Sequence, residues 1–419
     1  MGARLRKVPD GVVAVPCESV ALRTRKSGPV KGVADDGAPP QNRIVTRDRA
    51  PLRVLICGAG IAGATLAVLL GRAGHTVVVV ERDQGVRSSG NPVDVRGAAF
   101  RIAGALGLLS RLKEVATRVR RLVVVDDIGR PVAAMPTTLG RDRELEVPRA
   151  DLCAALVDAA RSSAEIRFDD TVVDMEPDDA GALVSCERSG TERFDLVVGA
   201  DGLHSHLRRL AFGPETEFVA PLGMYVATVP VPELELRPDT VLLHNTPGAA
   251  AAVHPGAGAP GAFFLFRSRA RIDVHDRDAA HALLSGTYGS LGWRIPELLA
   301  AYLSASDTYF DAVSRVRVAR WSRGPIVLLG DAASCVSLFG DGSSAAIVGA
   351  NVLATALDRW PDLPTALARY EHSQRAAVRR GQRVAPMASH VLVPATDVGI
   401  RMRNAALRIA IRGRPDAIS

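Results

Sequence analysis

The sequence of 419 residues is poor in aromatic side chains, at 4% Phe, Trp and Tyr, and has no paired cysteines. Cys17, Cys57, Cys153, Cys186 and Cys335 stand far apart and never as CxxC, which argues against both a disulfide framework and a zinc site. A reducing cytoplasm fits that usage. No stretch reaches the roughly 18 to 20 uninterrupted apolar residues of a membrane-spanning helix. The N-terminus also lacks the apolar core of a signal peptide. The expectation is a soluble cytoplasmic protein with no stable membrane insertion. The net charge of +7 is mostly local, because residues 1–50 hold ten basic and five acidic residues. The body is then close to neutral, and a nucleic-acid partner loses its support. Nothing in the sequence sets an oligomeric state.

Residues 1–50 mix charge with Gly and Pro without a period of 3.6 or 2, and read as a disordered tail. Order begins at Arg53-Val-Leu-Ile-Cys57, an apolar run that ends in glycines and passes into a buried helix from Ala62 to Gly71. Gly74 then stops that helix, and Thr76–Val80 is a β-branched run suited to a neighbouring parallel strand. Together they predict a βαβ unit in an α/β fold. A helix is expected over Arg149–Ala160, with strands at Glu165–Phe168, Leu183–Glu187 and Leu196–Val198. The stretch 212–312 is richer in Pro and alternates strand-like pieces, so it predicts an antiparallel sheet covering the first unit. A buried strand at Ile326–Leu329 precedes a glycine-rich loop and a helix from about Ser343 to Leu357. In Val398–Arg412 arginines alternate with apolar residues. This is a membrane-surface helix or, as the plainer reading, a terminal helix packed on the body with its arginines in water.

Gly58-Ala-Gly60-Ile61-Ala62-Gly63 fits GxGxxG between a strand and a helix. The glycines allow the tight turn, the approach of a pyrophosphate and close helix packing. Glu81 ends the next strand 18 positions after Gly63, near the spacing of a carboxylate on an adenosine ribose. The alternative is an ornamental βαβ turn, and the pattern alone does not separate FAD from NAD(P).

Two later segments do. Asp195–Arg209 runs a strand into Asp201-Gly202, with Ser205 and Arg208 following, and Gly324–Ala333 contains Gly330-Asp331. These resemble the DG and GD fingerprints of the single-component (class A) FAD-dependent aromatic hydroxylases, the flavin monooxygenase family. The resemblance covers about residues 52–412. It implies a Rossmann-like FAD-binding domain of the glutathione-reductase type with an antiparallel-sheet substrate domain. The implied divisions are 51–120, 147–211 and 313–385 for FAD, 121–146 and 212–312 for substrate, and a C-terminal helical segment at 386–419. It further implies Asp331 on the ribityl chain and Gly340, Gly342, Ser343 and Ser344 at the flavin pyrimidine edge. Arg149 after Glu146-Val-Pro becomes an FAD contact, Arg82 follows Glu81 at the nucleotide, and Arg96 is a candidate flavin, substrate or catalytic residue.

The activity so implied is NADPH reduction of FAD, addition of O2, and oxygen transfer from a flavin hydroperoxide to a small organic substrate, in secondary metabolism. No second GxGxxG follows Gly63, which suits transient NADPH binding. The GD loop departs from the family pattern at Ser334–Phe339 and Asp341. A redox-neutral FAD-dependent cyclase on the same fold, and a non-catalytic flavin-binding protein, are therefore the alternatives. No residue announces itself as the general base: His204, His206, His244 and His254 each read most simply as solvated histidines. The few aromatics predict a pocket of aliphatic and small residues.

Overall fold

The computed structural model describes residues 50–86, 92–137, 143–258, 260–336 and 342–412. The expected tail lies outside them except for Ala50. Strand β1 (Arg53–Cys57), helix α1 (Ile61–Arg72) and strand β2 (Thr76–Glu81) form the anticipated βαβ unit. The β1–β2 register is parallel, Val54 against Val77 and Cys57 against Val80. Gly74, at φ +79°, ends α1 in a paired cap: its N–H donates to Gly71 and that of His75 to Leu70.

The chain continues through β3 (Pro92–Arg96), α2 (Ala98–Ala105), α3 (Leu109–Glu114), β4 (Arg121–Val125), β5 (Pro131–Pro136), β6 (Glu144–Pro148) and α4 (Arg149–Ala160). Then come β7 (Glu165–Phe168), β8 (Val172–Asp178), β9 (Gly181–Cys186), β10 (Gly190–Phe194), β11 (Leu196–Gly199) and α5 (His206–Ala211). The next stretch holds β12 (Val219–Pro230), β13 (Thr240–Thr246), β14 (Ala249–His254), β15 (Gly261–Arg267), α6 (Arg277–Tyr288), α7 (Ile295–Ser304) and β16 (Tyr309–Val316). Last are β17 (Ser322–Arg323), β18 (Ile326–Leu328), α8 (Gly342–Arg359), α9 (Leu363–Leu392) and α10 (Asp397–Arg412).

Two sheets organise these elements. The first has the order β17-β18-β11-β1-β2-β7 and is parallel except at β17. Both its faces are covered, which explains the unbroken apolar runs of β1 and β2. Val54 and Ile56 pack with α1, α4 and α8, while Leu55 and Cys57 pack with Val184 and Phe194 of the β8–β10 meander. The second sheet has the order β16-β12-β15-β14-β13-β4-β5. It is antiparallel except that β4 runs parallel to β13. One face rests on α6 and α7 through Phe264, Phe266, Tyr288 and Tyr302. The other carries Met224, Val226, Ala250, Leu265 and Val313, and meets Val393 at the end of α9. Between the sheets, β6 pairs with β3 as a two-stranded ribbon, Asp94 opposite Glu146, instead of joining the second sheet.

The C-terminal helix follows the plainer sequence reading in packing on the body with Arg401 in the open, and departs from it at two arginines. Arg403 is turned inward, donating to the Asn245 side-chain oxygen at 2.7 Å, and Arg408 donates to the Val132 carbonyl at 2.7 Å. Val398, Met402 and Ile409 face outward.

Candidate active site

The C-terminal edge of the parallel sheet gathers the sequence-predicted residues. Gly58, at φ +103°, turns the chain after β1, and a Cβ there would stand 2.7 Å from the Ala200 carbonyl oxygen. A Cβ on Gly63 would stand 1.9 Å from the Gly58 oxygen, so α1 can cross the turn only at glycine. Gly60 is different: nothing lies within 4 Å of where its Cβ would be. It is also the N-cap of α1 with no side chain capping it, so amides at Ile61 and Ala62 open the helix toward that space. Ile61 and Ala62 are themselves buried.

Glu81 closes β2, accepting from the Ala59 N–H at 2.8 Å and the Asp83 N–H at 3.1 Å. Each carboxylate oxygen keeps acceptor capacity on the side of a cleft lined by Gly60, Asp83, Val86, Arg149 and Cys153. Arg82 is exposed and does not line this cleft. Arg149 opens α4 directly after β6, and its charge reaches from Cys153 to Asp331. Asp331 sits in the turn after β18. Burial pushes its carboxyl up, while the Arg149 guanidinium and a hydrogen bond from Cys335 pull it down.

The DG turn spends its aspartate internally. Asp201 accepts from the Ser205 hydroxyl at 2.5 Å and the Leu207 N–H at 2.9 Å, so what it offers a ligand is mainly the neighbouring backbone, with Gly202 at φ +82°. Arg208 does more than hold this turn. Its side chain is fully buried and donates to Leu203 at 2.7 Å and to the Ala332 carbonyl at 3.0 Å. One guanidinium thereby ties the turn of Asp201 to the turn of Asp331.

Ser343 and Ser344, in the first turn of α8, both donate to the Asp94 carbonyl, at 2.7 and 2.9 Å, and Ser344 accepts from the Arg96 N–H at 3.1 Å. Their hydroxyls pin β3 to α8, so the amides of the helix start remain for a ligand. A Cβ on Gly342 would meet nothing within 4 Å. Gly340 lies outside the described residues. Arg96 is half-buried, its guanidinium 3.8 Å from Asp94. Burial pushes the Asp94 carboxyl up, opposed by Arg96 and reinforced by Glu146 and Glu144.

His204, His206, His244 and His254 each have a hydrogen-bond partner within the protein. His204 lies between Asp311 (3.3 Å) and Glu215 (2.9 Å), and the hydrogen bond to Asp311 leads the causes that push its pKa up to about 9. His206 donates to the Val172 carbonyl at 3.0 Å. His244 is buried, 2.8 Å from Asp127 and stacked on Trp293. His254 accepts from the Gly256 N–H through Nδ1, which leaves Nε2–H to donate to Glu146 at 3.2 Å. Carboxylates from elsewhere in the chain captured rings that sequence alone leaves in water. Tyr309 and Asp311, which no motif marks, complete this side: the Tyr309 hydroxyl donates to Asp311 at 3.0 Å. Burial and the Asp311 charge push the Tyr309 phenol up, and Arg149 opposes them. Only the alternating pattern of Tyr309–Val316 could have revealed this strand.

An open approach at Gly60 and Gly342, two helix starts without acidic residues, and a half-buried carboxylate at Asp331 suit a dinucleotide bearing a flavin. The family model described as FAD binding domain matches residues 51–381. An uncharacterized protein of Mycobacterium tuberculosis is 37% identical over 339 residues, covering 78% of this chain and 91% of that protein. A flavin-dependent monooxygenase of Legionella longbeachae is 30% identical over 320 residues, covering 72% and 79%. The solved structure of tetracycline destructase Tet(51) superposes with a TM-score of 0.75 at 27% identity, covering 88% of this chain and 99% of that one. The chain belongs to the FAD-binding family of flavin-dependent monooxygenases.

Proposed function

We propose that this protein is an NADPH- and O2-dependent FAD monooxygenase that inserts one oxygen atom into a small organic substrate held between the two sheets. The observation that carries it is the cleft at the parallel-sheet edge, where Gly60 at the start of α1, Glu81 at the end of β2 and Arg149 at the start of α4 converge. Gly58, Gly60 and Gly63 with the α1 amides hold the pyrophosphate, and Glu81 the ribose. Asp331 and Arg149 hold the ribityl side. The α8 amides from Gly342 face the flavin, and Arg96 flanks the substrate. When bound, FAD supplies the acceptance of a hydride from NADPH and the activation of O2.

This chain's own part is to orient, exclude water and manage protons. The β3–β6 ribbon, pinned by Ser343, Ser344 and the Glu146–His254 pair, closes the space beside the cofactor. Tyr309 stays a phenol, so it acts as a donor, and Asp311 and His204 extend it into a hydrogen-bonded path toward Glu215. His204 carries its proton at neutral pH.

The test is NADPH and O2 consumption by the holoprotein against a panel of phenols, enols and polycyclic ketones, with product mass. A tetracycline belongs in the panel because the similar solved structure is a tetracycline destructase. Stoichiometric NADPH use with a product heavier by one oxygen atom is expected. An isomeric product formed without NADPH would replace this reading with a redox-neutral cyclase.

A further inference from the structure

Helix α10 is oriented with its polar anchors inward. Arg403 bonds to Asn245 and to the Val391 carbonyl, Asn404 is buried, and Leu407 joins the sheet-face core. Outward it presents Val398, Met402, Ala405 and Ile409, at i, i+4, i+7 and i+11, with the three larger side chains 62%, 69% and 71% exposed. Those inward bonds fix the rotation of the helix, so the apolar stripe is held in the open. Val391 on α9, 49% exposed, adjoins it through the carbonyl that Arg403 contacts.

The charge of the two C-terminal helices is just as one-sided. Helices α9 and α10 contain nine arginines and two acidic residues, Glu371 and Asp397, and Arg379, Arg380, Arg383, Arg401 and Arg408 are exposed. Residues 51–362 carry an acidic excess that hides this concentration in the overall balance. A body that is near neutral on average is in fact segregated by sign.

We infer that the outer face of α9 and α10 docks on an anionic lipid bilayer. Helix α10 lies in the interface, with Val398, Met402 and Ile409 at the acyl boundary and Arg401 among the headgroup phosphates. Charge selects this occupant. A second copy would bring two arginine clusters together, since a twofold interface sets each patch against itself. Residues 1–49, with ten basic and five acidic side chains, are repelled by the same face. A nucleic acid would use the arginines and leave the apolar stripe in water. The attachment is peripheral: among the described residues no helix is long and apolar enough to cross a membrane.

The experiment is co-sedimentation of the full-length FAD-loaded protein with phosphatidylcholine vesicles, with and without phosphatidylglycerol, at low and high salt. It is repeated with Met402→Glu/Ile409→Glu and with Arg401→Glu. Pelleting with the phosphatidylglycerol vesicles is expected, weakened by salt, and absent with phosphatidylcholine alone. The double variant should lower partitioning roughly tenfold or more, and Arg401→Glu by a smaller factor, at unchanged flavin absorbance and melting temperature. No pelleting at low salt, or equal pelleting of wild type and double variant, overturns the inference. So does a solution dimer that the double variant dissociates, or binding to duplex DNA that the double variant leaves intact.

Discussion

Gly60 and Gly63 stand three residues apart and face opposite constraints, one in open space and one against backbone. Gly63→Ala overpacks the strand–helix crossing and should cost about 3 kcal/mol or more, seen as insoluble or low-melting protein. Gly60→Ala should leave the melting temperature of the apoprotein unchanged while weakening FAD binding about tenfold or more, which is roughly 1.4 kcal/mol. Equal effects of the two substitutions on apoprotein stability would contradict the assignment of Gly60 as the phosphate approach. At Asp331 stability and binding pull apart. Burial of its charge opposes folding of the empty protein, so Asp331→Asn should raise the apoprotein melting temperature by a few degrees and still impair FAD retention. Thermal melts of stripped and loaded protein decide this. The tight turns at Gly58 and Gly63 were legible in the sequence because backbone geometry leaves no other residue choice there, whereas Asp331 was singled out only through its resemblance to the GD fingerprint. Asp201 was only half legible: its pattern was visible, but not that its carboxylate is consumed by Ser205 and Leu207.

Turns and strands carry a second set of expectations. Arg208→Ala removes the guanidinium that joins the two motif turns and strands the Leu203 and Ala332 carbonyls, a loss of roughly 3 kcal/mol. Arg208→Lys, with a point charge in place of a fork, should not restore it; FAD content per chain and the melting temperature are the measurements. His204 links the α5 turn to β16 through Asp311, and its folded pKa of about 9 lies above the ordinary 6.5. The folded state binds this proton more tightly, so the stabilisation is complete below pH 6.5 and disappears as pH rises through 9. The melting temperature of wild type should fall over that window more steeply than that of His204→Asn; parallel curves would remove the latch. The elements that build the nucleotide fold could be read from apolar runs and β-branched strands, α4 to the residue, whereas α2, α3, α6, α7 and α9 were not. What escaped was partnership between distant segments. Nothing in Glu144–Pro148 says that it pairs with β3, and nothing in β4 says that it runs parallel to β13, because such choices are set by tertiary packing and not by local pattern.

At the scale of the whole molecule, the cleft is lined by Gly60, Glu81 and Arg149, and His204, His254 and Tyr309 tie the second sheet to the elements around it. The two sheets should therefore respond to FAD together. Calorimetry at FAD a hundredfold above its Kd is expected to show one transition moved up by several degrees, from about 2.7 kcal/mol of linkage. Two transitions of which only one moves would mean that the second sheet is independent of the site. The charge pattern was the least legible property at this scale, because a sum over the sequence cancels the arginines of α9 and α10 against acidic residues far away. The Arg208 bridge to Ala332 also sets a timetable. The β1–α1 turn leaves the ribosome early, yet the strand and turn it needs as partners end near residue 333 and α8 ends at Arg359. At about 5 to 20 residues per second, a nascent chain spends some 15 to 60 s with half a nucleotide cleft exposed. Flavin acquisition is therefore a late event of biosynthesis, and any truncation short of α8 yields a chain that carries the GxGxxG motif but cannot retain the cofactor.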